Sequence, residues 1–253
     1  MNENKQKKTD ENIIIGRNCV LEALKSGREL DALFVARGAH SGTTAMIIAK
    51  AKEKGVTIKE ADSKKLDFMC GHANHQGIVA TAALKNYSEL EDIFTEAESR
   101  GEDPFIVILD EIEDPHNFGA IIRTAECAGV HGIIIPKRRS AGLTYTVNKS
   151  SAGALEHMHI VRVTNLVSII DELKKRGVWI YGADMNGELI YSCDLTGKTA
   201  VVIGNEGKGI SRLVKEKCDN LISLPMYGKI NSLNASVAAG IALYEAAKQR
   251  NKK

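Results

Sequence analysis

Chemistry in this chain can come from a few stretches. The first is Val201-Val202-Ile203-Gly204-Asn205-Glu206-Gly207-Lys208-Gly209, an apolar β-branched run that ends in a loop with three glycines and one carboxylate. Such a loop brings backbone amides and carbonyls close to a nucleotide-like ligand, because no Cβ stands in the way. The order is GxxGxG, not the dinucleotide GxGxxG, and no Gly-Lys-Ser/Thr follows as a phosphate loop requires. A tight turn needing positive φ accounts for the glycines as well. Glu206 has three uses there: accepting from a ribose hydroxyl, capping a helix, or standing in solvent. The second stretch, Leu221-Ile222-Ser223-Leu224-Pro225-Met226, runs through a polar loop to Asn231-Ser232-Leu233-Asn234-Ala235-Ser236 and an Ala-rich helix. Two strand exits so close together point to one pocket at the carboxyl edge of a sheet, where open α/β sheets hold their ligands.

The third stretch runs from Asp110 to Ala125. A strand ends in four acids within five residues, then Pro115, then a helix. Asn117 stands where an N-cap belongs. Arg123 lies among Ile121, Ile122 and Ala125, which the helical spacing buries. It is either solvated on the open face or held over a site that handles negative charge. Lys137-Arg138-Arg139, with Lys149 further on, is a dense basic cluster outside the tails and suits phosphate contact or plain solvation. His72 with His75, and His157 with His159, lack a third ligand at metal spacing, so no metal site is expected. There is no Gly-x-Ser-x-Gly elbow, and no His is placed for a Ser or Cys nucleophile.

These residues must be positioned by alternating strands and helices. Helices are predicted at Arg17 to Lys25, Ala45 to Lys54 and Ser63 to Phe68, with Ser63 as cap of the last. Strands fall at Ala32 to Val35, Val56 to Ile58 and Gly77 to Ala82. This makes a small α/β domain over residues 13–84, after a polar tail at 1–12. Residues 85–103 read as an acidic linker with a surface helix from Ser88 to Ser99. The alternation restarts over residues 104–253 with strands at 105–109, 133–135, 160–163 and 178–181 before the two described above. The intervening helices run over 117–128, 145–155 and 166–176. Roughly six strands alternating with helices indicate a parallel sheet. In the last helix, Asn234 to Gln249, Val237, Ile241 and Tyr244 share one face.

The bulk numbers exclude several classes. Of 253 residues, 43% are apolar and 26% charged, ordinary for a globular chain with a core. Net charge is only +2, so any nucleic-acid footprint must be local. The cysteines, Cys19, Cys70, Cys127, Cys193 and Cys218, are odd in number and form no CxxC, so reduced thiols are expected. The first twelve residues lack the apolar segment of a signal peptide, and no apolar run approaches the ~20 residues of a membrane span. A cytoplasmic protein is expected.

Three motifs then agree in order and spacing. Asn117-x-Gly119-x-x-Ile122-Arg123-x-Ala125, Ile203-Gly204-Asn205-Glu206-Gly207-x-Gly209-Ile210, and Leu224-Pro225-Met226 running to Ser232-Leu233-Asn234-Ala235-Ser236 resemble the signature motifs of the SpoU/TrmH family. These are S-adenosylmethionine-dependent RNA ribose 2′-O-methyltransferases. Ile15-Gly16-Arg17-Asn18 and Asn74-His75-Gln76-Gly77-Ile78-Val79-Ala80 resemble the N-terminal domain of the RlmB-type subgroup, which methylates a guanosine of 23S rRNA. The resemblance covers nearly the whole chain after residue 12. It implies an L30e-like RNA-binding domain, then a SPOUT α/β-knot domain whose threaded C-terminal loops hold the bent cofactor near a homodimer interface. Periodicity alone would not have chosen a knot. The resemblance further implies that Gly204, Leu224 and Leu233 hold S-adenosylmethionine, mainly through backbone groups. Arg123 matches the catalytic arginine, and Asn117, Glu206, Ser232 and Asn234 match the other polar residues of the site. Leu224 departs from the Ile common in relatives, which a backbone contact should tolerate.

Within the family, tRNA ribose methylation is the alternative, and residues 13–84 favour rRNA because tRNA enzymes of this fold often lack that domain. A non-catalytic RNA-binding assembly factor is a second alternative, against which the intact Arg123 and motifs stand. A nicotinamide oxidoreductase is a third, against which the order and late position of the glycine loop stand.

Overall fold

The structure is a computed structural model that describes residues 13–38, 42–82 and 85–251. The expected tail at 1–12 lies outside them. The contacts divide the chain into two compact units. One comprises the chain through Asn86 plus Gly142–His157, and the other comprises Tyr87–Ala141 plus the chain from Met158.

The first unit carries β1 (Ile13–Ile15), α1 (Arg17–Lys25), β2 (Leu30–Ala36), α2 (Gly42–Glu53), β3 (Thr57–Ala61), α3 (Ser63–Met69) and β4 (Ile78–Ala82). The sheet order is β1-β4-β2-β3, with β2 and β3 parallel and β4 antiparallel to both its neighbours. Gly16, at φ 93, turns the chain from β1 into α1, whose Val20, Leu21 and Leu24 pack into the core with Leu33, Ile47 and Ile78. The cap of α3 is Asp62, not Ser63: its carboxylate accepts from Lys65 N at 2.7 Å. An Asp cap serves the same orphan amides as Ser and adds its charge at the positive helix end.

The remote segment joins this unit as α6 (Tyr145–Ser150) and a 3-10 turn at Ala154–His157, instead of one helix to Leu155. Ala152 and Gly153 take positive φ and end the helix early. Tyr145 packs against the cluster of Ile13, Ile15, Leu66 and Val79. Cys19 Sγ reaches Asn148 O at 3.6 Å, and Arg28 pairs with Glu156 at 2.6 Å. Lys149 therefore belongs to this unit, whereas Lys137-Arg138-Arg139 belong to the other.

The second unit holds α4 (Leu90–Arg100), β5 (Phe105–Leu109), α5 (Pro115–Cys127), β6 (Gly132–Pro136), β7 (His159–Val163), α7 (Leu166–Lys175), β8 (Trp179–Leu189), β9 (Thr199–Ile203), α8 (Arg212–Lys217), β10 (Asn220–Ser223) and α9 (Ala235–Arg250). Its six strands run in the order β10-β8-β9-β5-β6-β7, all parallel. β5 and β9 lie at the centre and are buried along their whole length, which is why both read as near-continuous apolar runs rich in Val and Ile. α4, within the expected linker, puts Ile93 into this core over Gly132.

Three local differences from the sequence expectation matter for the site. The cap of α5 is Asp114, with Pro115 at the first helical position, so Asn117 is freed from capping. β8 runs on to Leu189, past Tyr181. Its register with β10 jumps from Gly182↔Leu221 to Glu188↔Ile222, and residues 183–187 arch out between them. α9 buries Ala235, Ala239, Ala242, Leu243, Ala246 and Ala247 and packs on α5. The face with Val237, Ile241 and Tyr244 is the exposed one (49, 37 and 54%). Small alanines let the helices approach closely, so the larger apolar residues are left outward.

Candidate active site

Three segments of the second unit converge: the β9 exit, the β10 exit with its following loop, and the start of α5. The β9 loop closes on itself, with Asn205 N donating to Gly209 O (3.1 Å) and Gly209 N to Asn205 O (2.8 Å). Asn205 Oδ1 accepts from the amides of Gly207 and Lys208, and its Nδ2 donates to Glu111 O at 3.0 Å. Buried Asp110 accepts from Ser211 N at 2.7 Å. Gly204 is obligatory at this closure. A Cβ there would stand 2.2 Å from the Gly209 carbonyl carbon and 2.3 Å from Ile210 N, both main chain.

Glu206 is the centre of the polar network. Its Oε1 accepts from Asn117 Nδ2, from Asn234 Nδ2 at 2.6 Å and from Ala235 N at 3.4 Å. Asn234 Nδ2 also donates to Asn117 Oδ1 at 3.0 Å, which closes a triangle. Asn234 Oδ1 caps α9 through the amides of Ser236 and Val237. The carboxylate at the N-terminus of α9 meets the positive end of the helix, a second favourable term. Three motifs far apart in sequence are thus tied at one carboxylate oxygen.

Beside this triangle lies a cavity of about 780 Å³. Gly204, Glu206, Leu224, Ser232 and Leu233 all line it, with apolar Ile203, Ile222 and Ala238 and the arch Ala183–Asn186. Asp184 of the arch pairs with Lys215 Nζ at 2.7 Å and accepts from Asn186 N at 3.0 Å. Burial works against its charge, but Lys215 and that amide outweigh burial and hold the carboxyl below its ordinary value. Asn117 and Asn234 reach the cavity through Glu206. Arg123 is not brought there: it is exposed on α5, outside the cavity lining, with no ion pair or hydrogen bond among the described residues. Arg139 is spent on Glu111 at 2.7 Å. Among the described residues no three His, Cys, Asp or Glu side chains are grouped to hold a metal, and no helix is long and apolar enough to cross a membrane.

A sequence profile described as the SpoU rRNA Methylase family matches residues 104–244. The chain belongs to the SpoU methylase family. A second profile, described as RNA 2′-O ribose methyltransferase substrate binding, matches residues 13–88 of this SpoU methylase. A protein of Bacillus subtilis named as a TrmH family tRNA/rRNA methyltransferase, YacO, is 52% identical over 94% of this chain and 96% of its own. An S-adenosylmethionine-bound rRNA methyltransferase from Sinorhizobium meliloti superposes with a TM-score of 0.80 at 25% identity, covering 97% of this chain and 90% of that one. The TrmH/SpoU tRNA-modifying enzyme of A. aeolicus superposes with a TM-score of 0.55 at 34% identity, covering 60% of this chain and 77% of its own. The α/β architecture with a parallel sheet in this SpoU methylase is that of SpoU methyltransferases.

The sequence reading did not find Asp110, Asn205, Asp184 or Lys215. Asp110 stood among four acids that looked interchangeable, and its partner lies about a hundred positions away. The arch carrying Asp184 follows from a register jump that no periodicity announces.

Proposed function

We propose that this RNA methyltransferase uses S-adenosylmethionine to methylate a ribose 2′-hydroxyl, and that its substrate is a guanosine of 23S rRNA. The observation that carries the reading is the Glu206 triangle, which joins the three motif segments at the mouth of the 780 Å³ cavity. The cavity suits an adenosyl ligand in size and in its mixed lining, where apolar Ile203, Ile222, Leu224 and Leu233 stand with polar Asp184, Glu206 and Ser232. We assign Gly204, Leu224 and Leu233 to the cofactor. Bound there, S-adenosylmethionine supplies a methyl group on a good leaving group.

The chain's task is then to align a poor nucleophile and stabilise its developing alkoxide. We assign that stabilisation to Arg123. A guanidinium stays protonated, so it acts by charge and geometry and not as a base. Asn117, Glu206 and Asn234 satisfy one another, so their role is to hold the loops in register. Ser232, exposed at the cavity with no hydrogen bond among the described residues, is the side chain open to the ribose. Arg123 lies off its own cavity, on the helix against which α9 packs. On that packed helix, α9, Val237, Ile241 and Tyr244 are left to solvent. Both features support a homodimer in which a second copy completes the site. The substrate-binding profile over residues 13–88 supports rRNA, as does the near-complete overlap with an rRNA enzyme against 60% for a tRNA enzyme.

The test is transfer of labelled methyl to RNA from cells lacking the gene, comparing wild type with Arg123→Ala. Alkali-resistant label in large rRNA, lost in the variant, is the expected result. Label in tRNA alone would replace the substrate. Cofactor binding without label in any RNA would point to an assembly factor.

A further inference from the structure

The first unit carries a surface that the catalytic reading does not use. Phe68, on α3, is 84% exposed, although an aromatic ring of its size usually finds a core. Lys64 and Lys65 precede it by four and three residues on the same short helix, and both are exposed. At those spacings their side chains flank the ring. Lys65 Nζ also lies 5.7 Å from the centre of the Phe34 ring, and Lys59 Nζ lies 5.6 Å from the same ring. Phe34 and Lys59 are direct partners across β2 and β3. Three lysines and two aromatic rings therefore share one patch, and one ring holds two of the cations in place.

The acids nearby are occupied or turned away. Asp62 caps α3, Asp67 Oδ1 lies 3.2 Å from His75 Nε2, and Glu60 alternates to the opposite face of β3 from Lys59. Lys59, Lys64 and Lys65 outnumber Asp62 and Asp67 around the ring, which leaves a positive balance of formal charge there. An exposed ring between fixed cations matches one chemistry well, a nucleic-acid strand whose base stacks while its phosphates meet the lysines. A duplex offers no free base face, so the fit is to an unpaired segment.

We propose that Phe68 is a base-stacking platform for an unpaired stretch of RNA, with Lys59, Lys64 and Lys65 on the adjoining phosphates. The proposal rests on the RNA reading above and adds where a single-stranded part of the substrate lies. The two contributions have different signatures. Stacking is insensitive to salt, whereas each phosphate contact adds about 0.7 to the slope of log affinity against log salt for a single strand.

The experiment is binding of the full chain to a fluorescent single-stranded RNA over a salt series, with 2-aminopurine as a stacking reporter. Phe68→Ala should weaken binding about tenfold with the salt slope unchanged and the 2-aminopurine quench lost, and Phe68→Trp should restore both. Lys64→Ala and Lys65→Ala should each lower the slope by about 0.7. Phe68 is exposed, so its substitution should leave the fold and S-adenosylmethionine binding as in wild type, measured in the same samples. Unchanged affinity and quench in Phe68→Ala, with wild type still methylating RNA, would overturn the platform and leave the enzyme reading standing. Wild type that neither binds nor methylates RNA would overturn both.

Discussion

At the scale of residues, the site depends on contacts that leave little latitude. Gly204→Ala drives a methyl into the main chain of Gly209 and Ile210, which cannot swing aside as a side-chain tip would. The β9 loop must open, and cofactor affinity measured by titration calorimetry should fall at least about tenfold while the circular dichroism stays native. Asn234→Ala removes a helix cap and two donors at once. A cap is worth about 1 kcal/mol and a hydrogen bond to a charged group about 1.5–3 kcal/mol, less here because Glu206 is exposed. A loss of about 1–3 kcal/mol should lower Tm by roughly 3–8 °C in a scanning measurement. The residues of the Glu206 triangle stand in the motifs, yet their physical roles were not legible there, and Asp110, Asp184 and Lys215 gave no signal at all. Asn117 looked like a cap because it follows Pro115. The structure gives the cap to Asp114 and lets Asn117 span to Glu206. Spacing along a chain predicts local bonds well and says nothing of a partner eighty-nine residues away.

At the scale of elements, the buried strands and amphipathic helices were readable because each carries its own period. Edges set by tertiary contact were not: the arch in β8, the short α8 and the early end of α6 all answer to neighbours. One joint between elements has a pH signature. His131, fully buried before β6, accepts from Phe105 N of β5 at 2.9 Å through Nδ1, which leaves Nε2 to face Glu102 at 3.0 Å. Burial holds its pKa below the usual 6.5, joined by Arg100 and Arg250 and opposed by Glu102. A second proton would set two donors against each other at the β5 amide. The unfolded chain takes up that proton as pH falls past about 6.5, and the folded one resists. This contribution is therefore complete above pH 6.5 and is lost as pH drops below it. Tm followed from pH 7.5 to 5 should decline less steeply in His131→Gln than in wild type.

At the scale of the whole molecule, the apolar face of α9 asks for a partner, and the homodimer proposed above supplies one. Ile241→Lys would place a charge where the second copy packs. In ultracentrifugation that variant should sediment as a monomer with cofactor affinity kept, and methyl transfer should fall at least about tenfold. A wild-type chain that is already monomeric would defeat the proposal.

The strand of chain from Gly142 to His157 leaves the larger unit and comes back, so the polypeptide passes between the units three times. Tyr145 covers Ile13 and Ile15, and Glu156 neutralises Arg28, from a position no N-terminal fragment contains. The smaller unit is accordingly poor currency for recombination. A gene fragment ending near residue 88 inherits the β1 and α1 surfaces without their cover, and its near-ultraviolet dichroism should lack the fine structure of a packed core. A single crossover therefore cannot exchange this unit by itself: one that keeps it whole must fall after His157 and brings residues 87–141 of the other unit with it.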